Sequence, residues 1–253
     1  MCFLKRIYSV KLKLMNSAFL IFFLSISLSI PGYTQTNSQK QEIGIQKKDA
    51  AKDSTKLIAL AIKLPRPMFI GTPQNLRVPN LEKPLGKPRP PFYAPQGTQN
   101  VAMGKIIQSS DPEPIIGEAE MINDGDREAT DGSFVEFGPF LQYITIDLEV
   151  VHDIYAILFW HYHKQPRVYY DIIVQVSNDP DFIANVTTLY NNDHDNSSGM
   201  GLGKDKNYVE TSEGRLVDAK GSQARYLRLY SNGSNANDMN HYIEVEVYGM
   251  PAK

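Results

Sequence analysis

Cysteine is almost absent from this chain of 253 residues, which contains only Cys2. Cys2 precedes an apolar run, so a chain cleaved after that run would have no thiol, and no disulfide could close its loops. An excess of charge of one sign is also missing, because 26 basic and 28 acidic side chains give a formal net charge of −2. Phosphate binding requires a concentrated positive field, so the composition does not predict nucleic-acid binding.

Catalytic motifs are missing as well. The sequence contains no Gly-x-Ser-x-Gly, no His-Glu-x-x-His and no phosphate-binding loop. These patterns place a nucleophile, a metal or a phosphate in a defined local structure. We therefore predict that the protein is not an enzyme.

The N-terminal segment has the pattern of an export signal. Four basic residues precede the apolar run at 19–30, which ends before Pro31. A spanning helix needs about 20 apolar residues, and this run is shorter. We predict a cleaved signal peptide at 1–34, a protein that is secreted, periplasmic or on the cell surface, and no membrane span after cleavage.

Two segments without a regular pattern follow the signal. Residues 35–64 form a polar tether with a short apolar end at 57–64, which fits either a helix or a strand. Residues 65–96 contain nine prolines, each of which fixes φ and removes a backbone donor. We predict an extended arm or linker there, partly docked through its apolar residues.

The remainder of the chain has the pattern of short strands. Alternating or continuous apolar runs occur at 143–148, 154–160, 171–177, 224–231 and 242–248, separated by Gly, Asn, Asp, Ser and Pro. Several strands with turn residues between them and no helical period predict an all-β sandwich or barrel.

Five segments in order resemble the discoidin domain, or factor V/VIII type C domain, a family that includes the family 32 carbohydrate-binding modules. They are NVAMGK at 100–105, NDGD at 123–126, YDIIVQVSND at 170–179, ARYLRL at 224–229 and IEVEVYG at 243–249. The resemblance implies a galactose-binding-like antiparallel jelly roll over 97–251, with adjacent chain ends and ligand loops at one end. It also implies carbohydrate binding.

The resemblance further implies a structural calcium ion. The implied ligands are Asp124, Asp126, Thr130, the Ile243 carbonyl and the Glu244 carboxylate. The threonine lies one position later than in the family pattern, so the loop bulges or Glu128 substitutes. A solvated Asp-Gly turn without metal is the alternative.

The pair His161 and His163 follows an apolar run and fits three interpretations. The histidines could be hydrogen-bonded at the rim of the core, or they could begin a zinc site that takes a third ligand from 193–195, His241 or His152. They could also contact a sugar, because sugars stack on aromatic rings and hydrogen-bond to polar side chains. The candidate sugar contacts are His161, His163, Arg167, Asn192, His194 and Asn235.

Two long polar loops, at 191–203 and 232–238, could form a common rim or could simply be flexible.

Taken together, the sequence predicts an exported, monomeric, non-catalytic domain that binds a glycan and is stabilised by calcium. Two alternatives stay open. One is a cell-surface adhesion domain with a protein partner, and the other is a hydrolase that uses the His161–His163 pair to hold its metal.

Overall fold

The computed structural model describes residues 56–69 and 76–253. The predicted signal peptide and residues 35–55 of the predicted tether lie outside them. Within the described residues the elements are β1 Leu57–Ala59, β2 Tyr93–Pro95, β3 Gln99–Asn100, β4 Ile107–Ser109, a 3-10 helix Ala119–Asn123, β5 Val135–Phe137, β6 Gln142–Trp160, β7 Ile173–Ser177, β8 Thr187–Asn191, β9 Arg215–Ser231, β10 Asn240–Tyr242 and β11 Glu244–Pro251.

Two long strands build the sandwich. The first half of β6 pairs with β4 and with the end of β9, whose other neighbour is β7, and β8 lies beyond β7. The second half of β6 pairs with β11 and with the beginning of β9, and β3 lies outside β11. All these pairs are antiparallel. The strands therefore form two layers that share β6 and β9, which confirms the predicted antiparallel all-β sandwich.

The change of layer occurs at a break in β6. Pairing with β9 shifts between Asp147 and His152, and Glu149 adopts φ +70°. The Asp147 carboxylate accepts the N–H of Glu149 at 2.7 Å, which satisfies a donor that the interrupted ladder leaves free. The segments 143–148 and 154–160 belong to one strand. The break between them explains why the sequence predicts two strands there.

The apolar run at 154–160 is buried except at the half-buried Tyr155, because both of its faces are covered. Trp160 and Phe159 have no solvent exposure, and neither does Leu158. Leu60, Ile62 and Phe92, which precede the sandwich in sequence, pack against the core. Alternation suits a strand with one solvated face, whereas a continuous apolar run suits one that is buried on both.

The described part of the Pro-rich segment contains no helix and lies on the sandwich. β1 and β2 pair only with each other, so 57–59 is a strand. Hydrogen bonds then tie the segment to the domain at Arg66–Glu128, Pro79–Asn207, Glu82–Arg215 and Arg89–Glu213. Between this segment and the beginning of β9 lies a cavity of 580 Å³.

The chain enters and leaves the sandwich on neighbouring strands. Asn100 of β3 is paired with Tyr248 of β11, so the first and last strands are neighbours, as expected. Pro251 is paired with His152, beside the break in β6.

In residues 56–69 and 76–253 there is no helix with the length and apolarity needed to span a bilayer.

Candidate functional site

Three loops meet at the end of the sandwich opposite the break in β6. At this end Gln142 is paired with Ser231, and Ile173 is paired with both Tyr230 and Asn191. The loop before β7, the loop after β8 and the loop after β9 therefore leave the sheet side by side. Antiparallel pairing alone positions them together, although they are far apart in sequence.

These loops line a cavity of 360 Å³ that is open to solvent. Its lining includes Tyr170, Asp171, Asn192, His194, Asp195 and Asn232. Pro79 and Asn80 of the docked Pro-rich segment complete one side. The two polar loops thus contribute to one rim, as the sequence suggested, and the volume lies within the range of small-molecule sites.

Backbone contacts fix the loop after β8. The Asn192 side-chain oxygen accepts the N–H of Ile172 at 2.6 Å, which joins this loop to the one before β7. The N–H of Gly203 donates to the Asp193 carbonyl at 2.5 Å. A Cβ at Gly203 would come within 2.5 Å of the Asn191 carbonyl oxygen, so glycine is required there. The cavity wall is therefore held by hydrogen bonds at both ends of the loop.

Three carboxylates lie close together here, of which Asp171 and Asp195 line the cavity and Asp193 is fully buried. Oxygens of Asp171, Asp193 and Asp195 all lie within 4.8 Å of one another. Burial acts to raise the pKa of Asp193, but hydrogen bonds from the hydroxyl and N–H of Ser198 hold it below its ordinary value. Asp193 therefore remains ionised at neutral pH, and the cluster carries negative charge.

The structure divides the predicted sugar contacts into two groups. Asn192 and His194 line the cavity, whereas Arg167 and Asn235 do not. The Arg167 guanidinium lies over the ring of Tyr162, with 4.6 Å from Cζ to the ring centroid. The Asn235 side-chain oxygen accepts the N–H of Val168 at 2.8 Å. Asn235 thus supports a neighbouring loop from an exposed position.

His161 and His163 are fully buried, which argues against the predicted contact with a ligand from solvent. His161 Nδ1 lies 3.2 Å from Glu210 Oε2, and its ring stacks on Tyr169 with centroids 4.4 Å apart. His163 Nε2 donates to the Arg127 carbonyl at 3.0 Å. These contacts correspond to the interpretation of hydrogen-bonded histidines at the rim of the core.

The zinc interpretation finds no geometric support among the described residues. The only group of three or more potential ligands found there is Asp171, Asp193 and Asp195, which includes neither His161 nor His163. The histidines instead join a buried polar layer under the loops. Its buried atoms without a hydrogen-bond partner in the protein include His161 Nε2, Arg167 Nε, Tyr169 Oη, Tyr208 Oη, Glu210 Oε1 and His241 Nδ1.

The acidic turn lies against the beginning of β11, as the resemblance implied. The N–H of Gly125 donates to Glu244 Oε2 at 3.1 Å, while Oε1 is buried without a partner. Burial raises the pKa of Glu244 to about 8, against the opposing effect of the Gly125 N–H. The Arg127 guanidinium binds Glu246 and the Gly125 carbonyl. A buried carboxylate with a free oxygen fits a hard cation.

The other implied calcium ligands fit less closely. Thr130 is exposed, and its hydroxyl lies 2.8 Å from the Ser133 hydroxyl. Asp124 and Asp126 accept backbone N–H groups within the turn. Glu128, the alternative to Thr130, accepts the N–H of Arg66. Glu244 is thus the residue that fits the ion best.

Several cavity residues have little signal in the sequence. Tyr170 and Asp171 were assigned to a strand segment, yet β7 begins at Ile173 and Asp171 adopts φ +48°. The tolerance of Asp for this conformation was the available signal. Nothing in the sequence indicated Pro79 and Asn80, because their position depends on how the Pro-rich segment docks.

No protein-family model matches the chain, and no curated protein matches it. Similar solved structures include the CBM32 of AlyQ in complex with 4,5-unsaturated mannuronic acid, at 19% identity and TM-score 0.41 over 56% of this chain and 92% of that one. A fucose-binding module, SpX-3, from Streptococcus pneumoniae has 14% identity and TM-score 0.43 over 59% and 97%. A family 89 glycoside hydrolase from Clostridium perfringens has 17% identity and TM-score 0.45. The match covers 60% of this chain but only 15% of the length of that enzyme. These similarities concern the fold alone.

Proposed function

We propose that this chain is an exported, non-catalytic domain that binds carbohydrate in the cavity at the loop end of the sandwich. The observation that carries the proposal is the composition of that cavity. An aromatic ring, Tyr170, stands beside the polar side chains of Asn192, His194 and Asn232. Sugars present apolar faces that pack on such rings and hydroxyls that hydrogen-bond to such polar groups.

The binding mechanism follows from loops that are already ordered. Hydrogen bonds fix the position of Asn192, and Asn232 Nδ2 donates to Asp171 at 2.8 Å. A ligand therefore meets a preformed wall, which reduces the entropy lost on binding. Sugar hydroxyls exchange hydrogen bonds with water for hydrogen bonds with protein, so the net gain per bond is about 1 kcal/mol and the affinity is weak.

The experiment is a glycan array followed by calorimetry on the mature chain. We expect Tyr170→Ala to abolish binding, because it removes the aromatic wall. Tyr155→Ala is the matched control, since Tyr155 is also half-buried but lies on β6 outside the cavity. Absence of binding across plant, algal and animal glycans would contradict the proposed function, as would equal effects of the two substitutions.

We also propose that a calcium ion joins the acidic turn to β11. Glu244 would hold it through its free Oε1, with oxygens of Asp124 and Asp126 and the Ile243 carbonyl completing the set. The ion would neutralise a buried carboxylate and close a loop in a chain that has no disulfide after signal cleavage. Its role would be structural and separate from the glycan cavity.

A further inference from the structure

We propose that Phe140, on the loop between β5 and β6, is a second contact for the bound carbohydrate, against which a sugar residue farther along the chain stacks. The inference rests on the proposed function and defines the kind of ligand, which is a chain of several sugar residues and not a single terminal sugar. It derives from the exposure of one aromatic ring, the conformation of its backbone and its connection to the cavity.

The first observation is the exposure of this ring. The Phe140 side chain is 79% exposed. None of the aromatic or cation–π pairs among the described residues includes it. The surrounding segment 137–146 contains no charged residue. Single exposed apolar side chains are common on protein surfaces, so the backbone of this residue has to distinguish it from an ordinary one.

The second observation is a backbone conformation that phenylalanine rarely adopts. Phe140 has φ +70° and follows Pro139. This order is typical of a type II turn, in which the residue of positive φ is usually glycine because it has no Cβ. Phe182 also has a positive φ, but the Arg228 guanidinium packs over its ring, with 4.1 Å from Cζ to the centroid. Phe140 has the same unfavourable conformation without such packing, as is typical of residues that contact a ligand.

The third observation is that Asn240 connects this loop to the cavity. Asn240 has no solvent exposure, and its Nδ2 donates to the Phe140 carbonyl at 2.9 Å. Its Oδ1 accepts the N–H of Gly233 at 2.9 Å. The Gly233 carbonyl in turn accepts the N–H of Tyr170 at 3.1 Å. One buried amide and one glycine thus separate the backbone of Phe140 from that of the aromatic residue in the cavity.

The hydrogen bonds of Asn240 fix both loops. Its Nδ2 also donates to the Gly138 carbonyl at 2.8 Å, and its Oδ1 also accepts the Ser231 hydroxyl at 2.8 Å. Both donors and both lone pairs of the amide are therefore used. The N–H of Gly138 donates to Asp111 at 2.8 Å on the other side of the loop. Because the loop is already ordered, a ligand that reaches Phe140 loses little entropy in fixing it.

A chain of sugar residues suits this arrangement. Sugar rings present apolar faces that stack on aromatic side chains. Phe140 does not line the cavity, so its partner is a different sugar residue from the one that the cavity holds. When one ligand makes both contacts, the second becomes intramolecular, and the affinity increases with chain length. A single terminal sugar would leave the exposed ring without a partner.

The test is calorimetry on the mature chain with the disaccharide and the hexasaccharide of cellulose, laminarin, xylan, mannan and galactan. These probes are neutral, and the members of each pair differ only in length. We expect at least one hexasaccharide to bind at least about tenfold more tightly than its disaccharide. A longer chain also offers more positions for binding, so the variants below are needed to assign the difference to Phe140.

Phe140→Gly removes the ring and suits the backbone, because glycine readily adopts the φ of +70°. We expect it to bind the hexasaccharide up to about tenfold more weakly, to bind the disaccharide unchanged and to keep or raise the melting temperature. Phe140→Trp should keep the hexasaccharide affinity, because it keeps an aromatic face. Ile183→Ala is the control, since Ile183 is 85% exposed and follows Ser177, where β7 ends at the opposite end of the sandwich.

The outcomes separate this inference from the proposed function. Equal affinity within every pair would overturn the inference and leave carbohydrate binding intact, as would a hexasaccharide affinity that is unchanged in Phe140→Gly. Binding of other glycans but of none of these probes would do the same. A lower melting temperature in Phe140→Gly would show that the ring serves the fold, and a loss of dimer in sedimentation would show that it packs against a second copy. A failure to bind any glycan would overturn both proposals.

Discussion

Glu82 and Arg215, 133 residues apart in sequence, form a two-point salt bridge that ties the Pro-rich segment to the sandwich. Arg215 Nη1 lies 3.0 and 3.1 Å from the two carboxylate oxygens of Glu82, and Nη2 lies 3.2 Å from one of them. The guanidinium also lies over the ring of Tyr208, with 4.4 Å from Cζ to the centroid. An arginine held by a carboxylate and an aromatic face is well fixed.

Breaking this salt bridge should loosen the docked segment. We expect Glu82→Gln to lower the free energy of unfolding by only about 0.5–1 kcal/mol, because the Glu82 carboxylate is partly solvated. Cleavage by trypsin at the nearby Arg77, which is not followed by proline, should accelerate. Glu113→Gln, at an exposed residue elsewhere, is the control. Unchanged proteolysis in Glu82→Gln would mean that other contacts hold the segment.

A methyl group at Gly214 should be strongly destabilising. Gly214 adopts φ +62°, and a Cβ there would come within 2.7 Å of the Phe159 carbonyl oxygen and the Trp160 ring. We expect Gly214→Ala to cost about 3 kcal/mol in urea denaturation, from backbone strain and overpacking together. Gly132→Ala isolates the strain, because Gly132 has φ +92° with nothing near its Cβ. Equal losses in the two variants would show that the close contact has no cost.

Acid should remove the contribution that the ionised Asp147 carboxylate makes to the stability of the folded state. A hydrogen bond from Arg225 is the largest effect that lowers the pKa of this carboxyl. The folded state therefore binds the proton less readily than the unfolded state. The contribution is complete above the unfolded pKa of about 4 and is lost as the pH falls through the lower folded value.

Asp147→Asn should accordingly lower the free energy of unfolding by about 0.5–1 kcal/mol at neutral pH, a value discounted for the exposure of Arg225. The difference from the unsubstituted protein should shrink towards zero as the pH falls through the lowered folded pKa of Asp147. Denaturation at several pH values measures it, with Asp238→Asn as the control. A difference that is constant across this range would exclude the titration as its cause.

Chelation should lower the melting temperature if calcium joins the acidic turn to β11. Glu244→Gln should lower it as well and should abolish the response to added calcium, because the main proposed ligand loses its charge. Asp195→Asn should keep the full response, since Asp195 belongs to the glycan cavity and not to the acidic turn. A melting temperature that changes neither with chelator nor with added calcium would contradict the proposed calcium site.

The fold could be predicted from the sequence because its signals are local. Alternation at 143–148 and 224–231 and the turn residues between strands were sufficient for the all-β assignment. The beginning of β9, Arg215–Gln223, was not predicted, because Lys220 and Gly221 interrupt its pattern with positive φ values. The three-residue strands β4 and β5 were missed since so short a segment shows no period.

The site could be predicted only in part, because most of its residues lie in loops. Beyond the end of a strand, alternation no longer predicts the direction of a side chain. His161 and His163 lie beyond the end of β6 and are fully buried, so the predicted contact with a ligand from solvent is not possible there. Asn192 and His194 were found because a long polar loop is a local signal. The convergence of Asp171 with Asp193 and Asp195 depends on β7 pairing with β8, which no short motif encodes.

The pairing of Pro251 with His152 has a consequence for display. β11 ends beside the break in β6, at the opposite end of the sandwich from the proposed sugar-binding cavity. A surface or fusion partner attached behind the last strand would therefore hold the domain from its base and point the cavity outward, towards polymer chains in the surrounding medium.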